Sequence, residues 1–293
     1  MKSKFIVICL LLILHISVFS QMVTNEKDSL TGCYFWKSQI KEHNFSIGSG
    51  FVQTMNTSSL YSGLRGINTS FDYGFLKNSK KYAHNFWGIF TEGNFDFLLT
   101  NEPKYMQNYY PDFYRAEFAF GGMWLWQLPN FIKNMNIYAG TGLSFNSELN
   151  LAINKGEDYL TIYSIPDLNW YISPDLHIRA EYNLRKVKLQ GELSLPVAMM
   201  GNYLNQFHYL PVNMDTASIA KYKFTPNTFT FLHQIFQPTI KLSVQFPLKK
   251  TDIDNPKWYF QIKYIFESLD INLKYYEAKK EQHSIRLGFA YKM

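Results

Sequence analysis

A row of charged residues at alternate positions is the part of the sequence best suited to chemistry. His177, Arg179, Glu181 and Arg185 share one parity, and on an extended strand residues two apart lie on the same face. The row predicts either a strip that binds or selects a ligand or a buried network of ion pairs, since buried charges must be paired. Both interpretations stay open. Partners for such a network are available in other segments: Glu92, Asp96, Arg115, Glu117, Glu192, Lys241 and Lys263.

Nucleophilic catalysis on a strand needs a serine and its base on the same face, which is a His-x-Ser spacing. Beyond the predicted signal peptide the sequence has no such spacing, because no serine stands two residues after any histidine from His43 to His283. Nucleophile elbows, zinc-protease motifs, phosphate-binding loops and Cys-x-x-Cys pairs are absent too. We therefore expect no cofactor and no metal site, and an enzyme only if its site is assembled from several strands.

Aromatic residues crowd two polar segments and form a second candidate site. Tyr109 and Tyr110 lie in one segment, and Tyr203, Phe207 and Tyr209 lie in the other. Exposed aromatic rings can bind sugars, lipids or another protein. They can equally pack a loop against the rim of the fold.

Strands must position all of these residues, because the dominant pattern of the chain has a period of two. The last ten residues, SIRLGFAYKM, alternate strictly between apolar and small or polar side chains. Aromatic residues make up 18% of the chain, yet the mean hydropathy is only −0.21. Alternation of this kind is typical of transmembrane β-barrels, whose strands face lipid and lumen in turn. A soluble β-sandwich is the alternative.

Ten alternating segments predict an all-β, antiparallel, up-and-down barrel of ten strands, with twelve as the alternative count. The last strand should pair with the first, near residues 45–53, because lipid cannot satisfy an open edge. Extracellular loops are expected at 55–63, 100–112, 154–158, 198–227 and 269–281, and periplasmic turns at 77–84, 127–135, 173–175 and 249–256. Five of the six tryptophans, Trp87, Trp124, Trp126, Trp170 and Trp258, then fall at the periplasmic ends.

Two details of the seventh predicted strand affect the count. Ser173-Pro174-Asp175 has the composition of a tight turn. The alternation then slips by one residue at Arg185-Lys186, which a β-bulge would produce. A tight hairpin at that point is the competing explanation and would add a strand.

The N-terminus predicts export. Lys2 and Lys4 precede an apolar run that is too short to span a membrane, and Ser20 ends a plausible cleavage site. We expect a cleaved signal peptide at 1–20, an irregular periplasmic segment at 21–42 and the barrel at 43–293. The formal charge of +6 is too mild to predict a nucleic-acid partner. Cys33 would then lack an intrachain disulfide partner.

The terminal strand resembles the assembly signal of Gram-negative outer-membrane barrels. Arg286, Gly288 and Tyr291 match that pattern, and Met293 stands where phenylalanine is usual. More loosely, residues 194–198 and 242–248 resemble a family of small outer-membrane barrels of unknown function. The resemblance implies an outer-membrane location, contact with membrane lipids including lipopolysaccharide, and recognition by the barrel-assembly machinery.

The sequence thus predicts a cell-envelope protein without naming its activity. The leading expectation is a non-enzymatic protein that binds a ligand or an unidentified extracellular or periplasmic protein through its loops, or that supports the envelope. The second is a narrow channel for small solutes, and the third is a lipid-active barrel enzyme.

Overall fold

A computed structural model describes residues 41–56, 63–78, 85–100, 112–129, 132, 134–153, 167–184, 187–202, 228–232, 234–248, 257–273 and 276–292. These residues form thirteen β-strands. They are β1 (Lys41–Asn56), β2 (Leu64–Asn78), β3 (Asn85–Thr100), β4 (Asp112–Gln127), β5 (Met135–Ile153), β6 (Asp167–Leu184), β7 (Val187–Pro196), β8 (Ala198–Asn202), β9 (Thr228–Phe231), β10 (Ile235–Phe236), β11 (Thr239–Pro247), β12 (Trp258–Leu273) and β13 (Tyr276–Lys292).

The strands close into an antiparallel barrel with ten strand positions in the described part of the chain. β1 to β7 pair in sequence, β7 pairs with β11, and β11 to β13 follow before β13 returns to β1. β8 continues β7 along the edge of β6. β9 pairs with β8 and β10 pairs with β12, so both continue β11 in the barrel wall. This arrangement confirms the predicted ten-stranded barrel and the pairing of the last strand with the first.

The register of the pairs defines the tilt of the barrel. A row of paired residues runs from each strand to the next around the barrel, starting at Gly140 of β5. The row passes through Thr239 of β11 and Val52 of β1 and returns to β5 at Ala152. The row therefore climbs twelve residues in one circuit, which is the shear number of the barrel. A shear larger than the strand number tilts the strands strongly and brings side chains of opposite walls to similar heights.

Alternation along each strand separates an apolar outer surface from a polar interior. On β13, Ile285, Leu287 and Phe289 are about half exposed, whereas Ser284 and Arg286 are buried. The same contrast appears on β1, where Phe45 and Ile47 face outward and Ser46 is buried. A soluble sandwich would have the opposite distribution, so that alternative is wrong. None of the described residues belongs to a helix with the length and apolar character required to cross a membrane.

The predicted turn at 173–175 is wrong, because β6 runs through it without interruption. Pro174 lacks an N–H, yet its carbonyl accepts a hydrogen bond of 2.9 Å from the backbone N of Val197. Val197 separates β7 from β8. The backbone nitrogen of Pro174, which carries no hydrogen, therefore points to the break between β7 and β8. No regular backbone hydrogen bond of the sheet is lost there.

The phase slip near residue 185 is a hairpin rather than the expected bulge. β6 ends at Leu184, β7 begins at Val187, and these two residues pair directly. The lost turn at 173–175 and the hairpin gained at 185–186 compensate, so the strand count stays at ten. As a consequence, Trp170 lies near the opposite barrel end from the one predicted.

Other boundaries differ less. The predicted loop 269–281 is mostly strand, because Leu273 of β12 pairs with Tyr276 of β13 and only two residues connect them. β8 occupies the start of the predicted loop 198–227. β1 begins at Lys41, two residues before the expected boundary. The predicted signal peptide and the segment 21–40 lie outside the described residues, as does Cys33.

We call the barrel end that contains Lys41 and Lys292 the near end and the opposite end the far end. The connections 79–84, 128–134, 185–186 and 248–257 belong to the near end. The connections 57–63, 101–111, 154–166, 203–227 and 274–275 belong to the far end. Trp87, Trp124, Trp126 and Trp258 lie close to the near end.

Candidate functional site: the charged interior of the barrel

The near end of the lumen is crossed by ion pairs centred on Arg179. Its Nη2 donates to Glu181 at 2.6 Å and to Glu42 at 3.1 Å. β6 and β1, which carry Arg179 and Glu42, are diametrically opposite in the ten-position order. Lys188 of β7 binds Glu181 at 2.7 Å and lies 3.6 Å from Glu42, as does Lys292. These five residues form the near-end tier, which spans the full width of the bore.

Apolar side chains fill the other half of the near end. Leu76, Phe86, Leu125 and Tyr138 form a buried cluster on the lumen face of β2 to β5. The rings of Phe86 and Tyr138 meet edge to face with centroids 5.0 Å apart, an arrangement that aromatic pairs prefer. Ion pairs and apolar packing together occupy this end of the lumen in the described part of the chain.

A middle tier crosses the bore a second time. Lys241 of β11 contacts Glu92 of β3 at 2.5 Å, and these strands are again diametrically opposite. Asp72 of β2 contacts Lys263 and also accepts a hydrogen bond of 3.0 Å from Arg286. Each charge in this tier has an opposite partner, as burial requires.

A far tier contains four carboxylates and two cations. Arg115 donates to Asp96 at 2.6 Å and lies 3.3 Å from Glu117. Lys280 of β13 reaches across the lumen to Glu117 as well. Glu148 of β5 and Glu267 of β12, the remaining two carboxylates, have no ion-pair partner among the described residues. This tier thus carries more negative than positive charge.

A cavity of about 210 Å³ lies in the lumen. Its wall extends from the far tier to Arg179 of the near-end tier. Its wall includes a hydrogen-bonded chain: the hydroxyls of Ser144 and Ser173 are 2.8 Å apart, and Ser173 donates to Asp175 at 2.7 Å. His177 lines the cavity too, and its buried Nε2 has no hydrogen-bond partner within the described part of the chain. A Ser–His contact is therefore not formed, and the group is not an assembled catalytic triad.

Most residues of the predicted charged cluster meet inside the barrel. Arg179 and Glu181 are in the near-end tier, Glu92 is in the middle tier, and Asp96, Arg115 and Glu117 are in the far tier. His177 packs against Phe90 with ring centroids 6.1 Å apart. Arg185 lies outside the described residues, and so do the loop aromatics Tyr109, Tyr110, Tyr203, Phe207 and Tyr209.

The residues of the predicted assembly signal occupy different surroundings. Arg286 is fully buried in the lumen, whereas the ring of Tyr291 stacks beside that of Trp258 with centroids 4.5 Å apart. Gly288 pairs with Ser46 across the seam. Met293 lies outside the described residues. The motif therefore combines one lumen residue, one residue at the strand seam and one at the aromatic rim.

Sequence reasoning missed Ser144, Ser173 and Asp175. A signal for two of them was available, since Ser173, Asp175, His177 and Arg179 share one parity and continue the charged row without a break. The apparent turn around Pro174 hid this continuity. Ser144 had no comparable signal, because only the pairing of β5 with β6 places it opposite Ser173.

Metal binding finds no support in the described residues. They contain no group of three or more histidine, cysteine, aspartate or glutamate side chains arranged to hold an ion. The carboxylates of the lumen instead contact lysine and arginine, or accept hydrogen bonds from neutral groups as Asp175 and Glu148 do. The interior can therefore hold charge and hydrogen bonds in place, and it presents to its cavity carboxylates without an ion-pair partner among the described residues.

Comparisons with known proteins give structural similarity only. No family model matches the chain, and no curated protein matches it. The outer-membrane protease OmpT from Escherichia coli is 9% identical, with a TM-score of 0.46 over 91% of this chain and 99% of OmpT. The translocator domain of the autotransporter NalP from Neisseria meningitidis is 10% identical, with a TM-score of 0.41 over 89% of this chain and 91% of that domain.

The attachment invasion locus protein Ail of Yersinia pestis is 9% identical, with a TM-score of 0.29 over 86% of this chain and 99% of Ail. Closure, apolar outer surface and polar lumen are features of the chain itself. By these features the protein has the fold of an outer-membrane β-barrel, with ten strand positions.

Proposed function

We propose that the protein is a non-conducting outer-membrane barrel that serves as a rigid support for its far-end loops, which bind a ligand or partner or stabilise the envelope. The observation that carries this proposal is the contact between Arg179 and Glu42 at 3.1 Å, joining opposite walls at the near end. The contact between Lys241 and Glu92 blocks the bore again at a second height. A channel for small solutes would need both crossings to be absent.

Rigidity of the wall follows from the same pairs. Small barrels are filled by their own side chains, and a buried pair resists separation because each partner would leave an uncompensated charge. A wall held at several heights keeps its strand ends in place. Far-end loops attached to such a wall would start from defined positions, which lowers the ordering cost of binding.

Location and orientation belong to the same proposal. The signal peptide is cleaved after Ser20, the near end faces the periplasm, and the far-end loops face the outside. Outer-membrane lipids, including lipopolysaccharide, cover the apolar surface. The barrel-assembly machinery recognises the last strand through the motif around Gly288 and Tyr291. The start of β1 at Lys41 and the end of β13 at Lys292 lie at one barrel end and the longer connections at the other, as is usual in such barrels.

Single-channel recording in a planar lipid bilayer tests the central claim. We expect no stepwise conductance from the purified, folded barrel over a wide range of voltage. The matched variant is Glu42→Ala combined with Lys241→Ala, which removes one partner of each crossing contact. Glu281→Ala, at an exposed position on β13 outside the cavity wall, is the control. Stable open steps in the wild-type protein would reject the proposal in favour of a channel.

A further inference from the structure

The far tier is short of positive charge at the point where it meets the cavity. Asp96, Glu117, Glu148 and Glu267 contribute four negative charges, whereas Arg115 and Lys280 contribute two positive charges. The two cations pair with Asp96 and Glu117. Glu148 and Glu267 line the cavity without a cationic partner among the described residues.

The two unpaired carboxylates approach the cavity from different walls. Glu148 is on β5 and Glu267 is on β12, and four strand positions separate these strands in the order around the barrel. Both are electrostatic neighbours of the buried hydroxyl of Tyr171, together with Glu117. They therefore lie in one region of the lumen, in the electrostatic field of Lys280, which is already paired with Glu117.

Buried amide groups without partners flank both carboxylates. Gln282 pairs in register with Glu267, is 1% exposed, and has no hydrogen-bond partner for Oε1 or Nε2 in the part of the chain described. Asn150 is also 1% exposed and donates from Nδ2 to Glu148 at 2.5 Å, which leaves its Oδ1 without a partner among the same residues. Buried acceptors in this condition are costly unless another donor satisfies them.

An ammonium group supplies what this region lacks. It carries one positive charge and three donors, which match the carboxylates of Glu148 and Glu267 on the cavity wall. A metal ion is a poorer match, because the described residues contain no group of three ligating side chains. The cavity volume of about 210 Å³ is well above the roughly 10–15 Å³ that a single water molecule needs, enough for a small organic amine.

We propose that the far half of the lumen is a binding site for a small organic amine, held by Glu148 and Glu267. The distribution of charge along the lumen favours entry from the far end. The near-end ion pairs join Arg179, Lys188 and Lys292 to Glu42, Glu181 and Glu192 and so balance in charge. A cation would therefore be attracted to the far half, where carboxylates are in excess.

Calorimetric titration of the full folded barrel in detergent micelles tests the site. The probes are 1,4-diaminobutane and butylamine, with 1,4-butanediol as a neutral analogue of matched length and magnesium chloride as an inorganic cation. We expect the two amines to bind and the diol and magnesium to give no saturable heat. Equal binding of the diol or of magnesium would overturn the proposal, and so would the absence of amine binding.

Substitutions assign the site to its residues. Glu148→Gln and Glu267→Gln should each weaken amine binding by about tenfold or more, because each removes a charge-assisted hydrogen bond. Glu281→Gln, an exposed position on β13, should leave the affinity unchanged. Retention of wild-type affinity in the Glu148→Gln/Glu267→Gln variant would refute the site.

A second measurement guards against variants that fail to fold. Without ligand, the same two substitutions should not lower the thermal stability of the barrel, since neither breaks an ion pair among the described residues and a glutamine at position 148 can still accept the hydrogen bond from Asn150. With 1,4-diaminobutane, only the wild-type protein and Glu281→Gln should gain stability. Loss of stability in ligand-free Glu148→Gln and Glu267→Gln would show that these carboxylates have structural partners, which would contradict the proposal.

Discussion

Arg286 of β13 donates a hydrogen bond of 3.0 Å to Asp72 of β2, although β1 lies between the two strands. The bond passes over the seam where the first and last strands of the barrel join. The Nε of Arg286 also donates to Ser70 at 2.8 Å. Its Nη2 donates to Asn94 of β3 at 3.3 Å. The polar residue of the C-terminal motif therefore ties β13, β2 and β3 together from inside the lumen.

Loss of this contact should be costly. Arg286→Met leaves the carboxylates of Asp72 and Glu92 with one cation each, and we expect a loss of about 3–5 kcal/mol in the free energy of unfolding. Urea titration in lipid vesicles, followed by tryptophan fluorescence, measures it. Lys279→Met on the exposed face of the same strand should change stability by less than about 0.5 kcal/mol. Equal effects of the two substitutions would show that the seam does not depend on Arg286.

The outer surface should reject charge according to depth. Ile285 is 61% exposed on the outer face of β13, near the middle of the strand. Ile285→Lys should lower the free energy of unfolding in lipid by about 2–4 kcal/mol, and Glu281→Lys, closer to the far end on the same face, by no more than about 1 kcal/mol. The same pair of variants compared in vesicles provides the measurement. A penalty at residue 281 equal to that at residue 285 would contradict the assigned lipid-facing band.

Gly142 should be intolerant of a side chain because the imidazole of His177 occupies its inner face. A Cβ atom at Gly142 would lie 2.5 Å from Nε2 of His177 and 2.8 Å from the backbone oxygen of Gly122. Gly142→Ala should therefore destabilise the barrel by about 1–3 kcal/mol. A Cβ atom at Gly122 would meet nothing closer than 3.7 Å, so Gly122→Ala is the matched control and should be neutral or stabilising. Thermal unfolding of the two variants decides between them.

Gly288 should be required for closure of the seam. A Cβ atom there would lie 2.0 Å from the backbone oxygen of Phe45, so Gly288→Ala forces β1 and β13 apart. We expect a reduced yield of folded barrel in refolding from urea into vesicles, measured as the fraction with heat-modifiable gel mobility. Gly63→Ala, whose Cβ atom would be 3.6 Å from Thr54, should refold normally. Normal refolding of Gly288→Ala in this purified system would refute the steric explanation.

Period-two alternation was sufficient to predict the class of fold and the face of most residues. Side chains on a strand point to opposite sides in turn, so the pattern of Ile285, Arg286 and Leu287 already separates lipid from lumen. Local turn chemistry was a weaker guide. Ser173-Pro174-Asp175 has turn composition, but Pro174 is tolerated within β6 because its missing donor faces the break at Val197. That compensation comes from a neighbouring strand, and the sequence of residues 173–175 does not indicate it.

The sequence by itself determined that charged residues would share an inner face and that the last strand would meet the first. Only the tertiary structure decided which charges meet, because pairs such as Arg179 with Glu42 are 137 residues apart and depend on the register of every strand between them. A change of one residue in any pairing would alter the shear and shift all later contacts. For the same reason, only the closed barrel shows that no described cation forms an ion pair with Glu148 or Glu267 where their walls face the cavity.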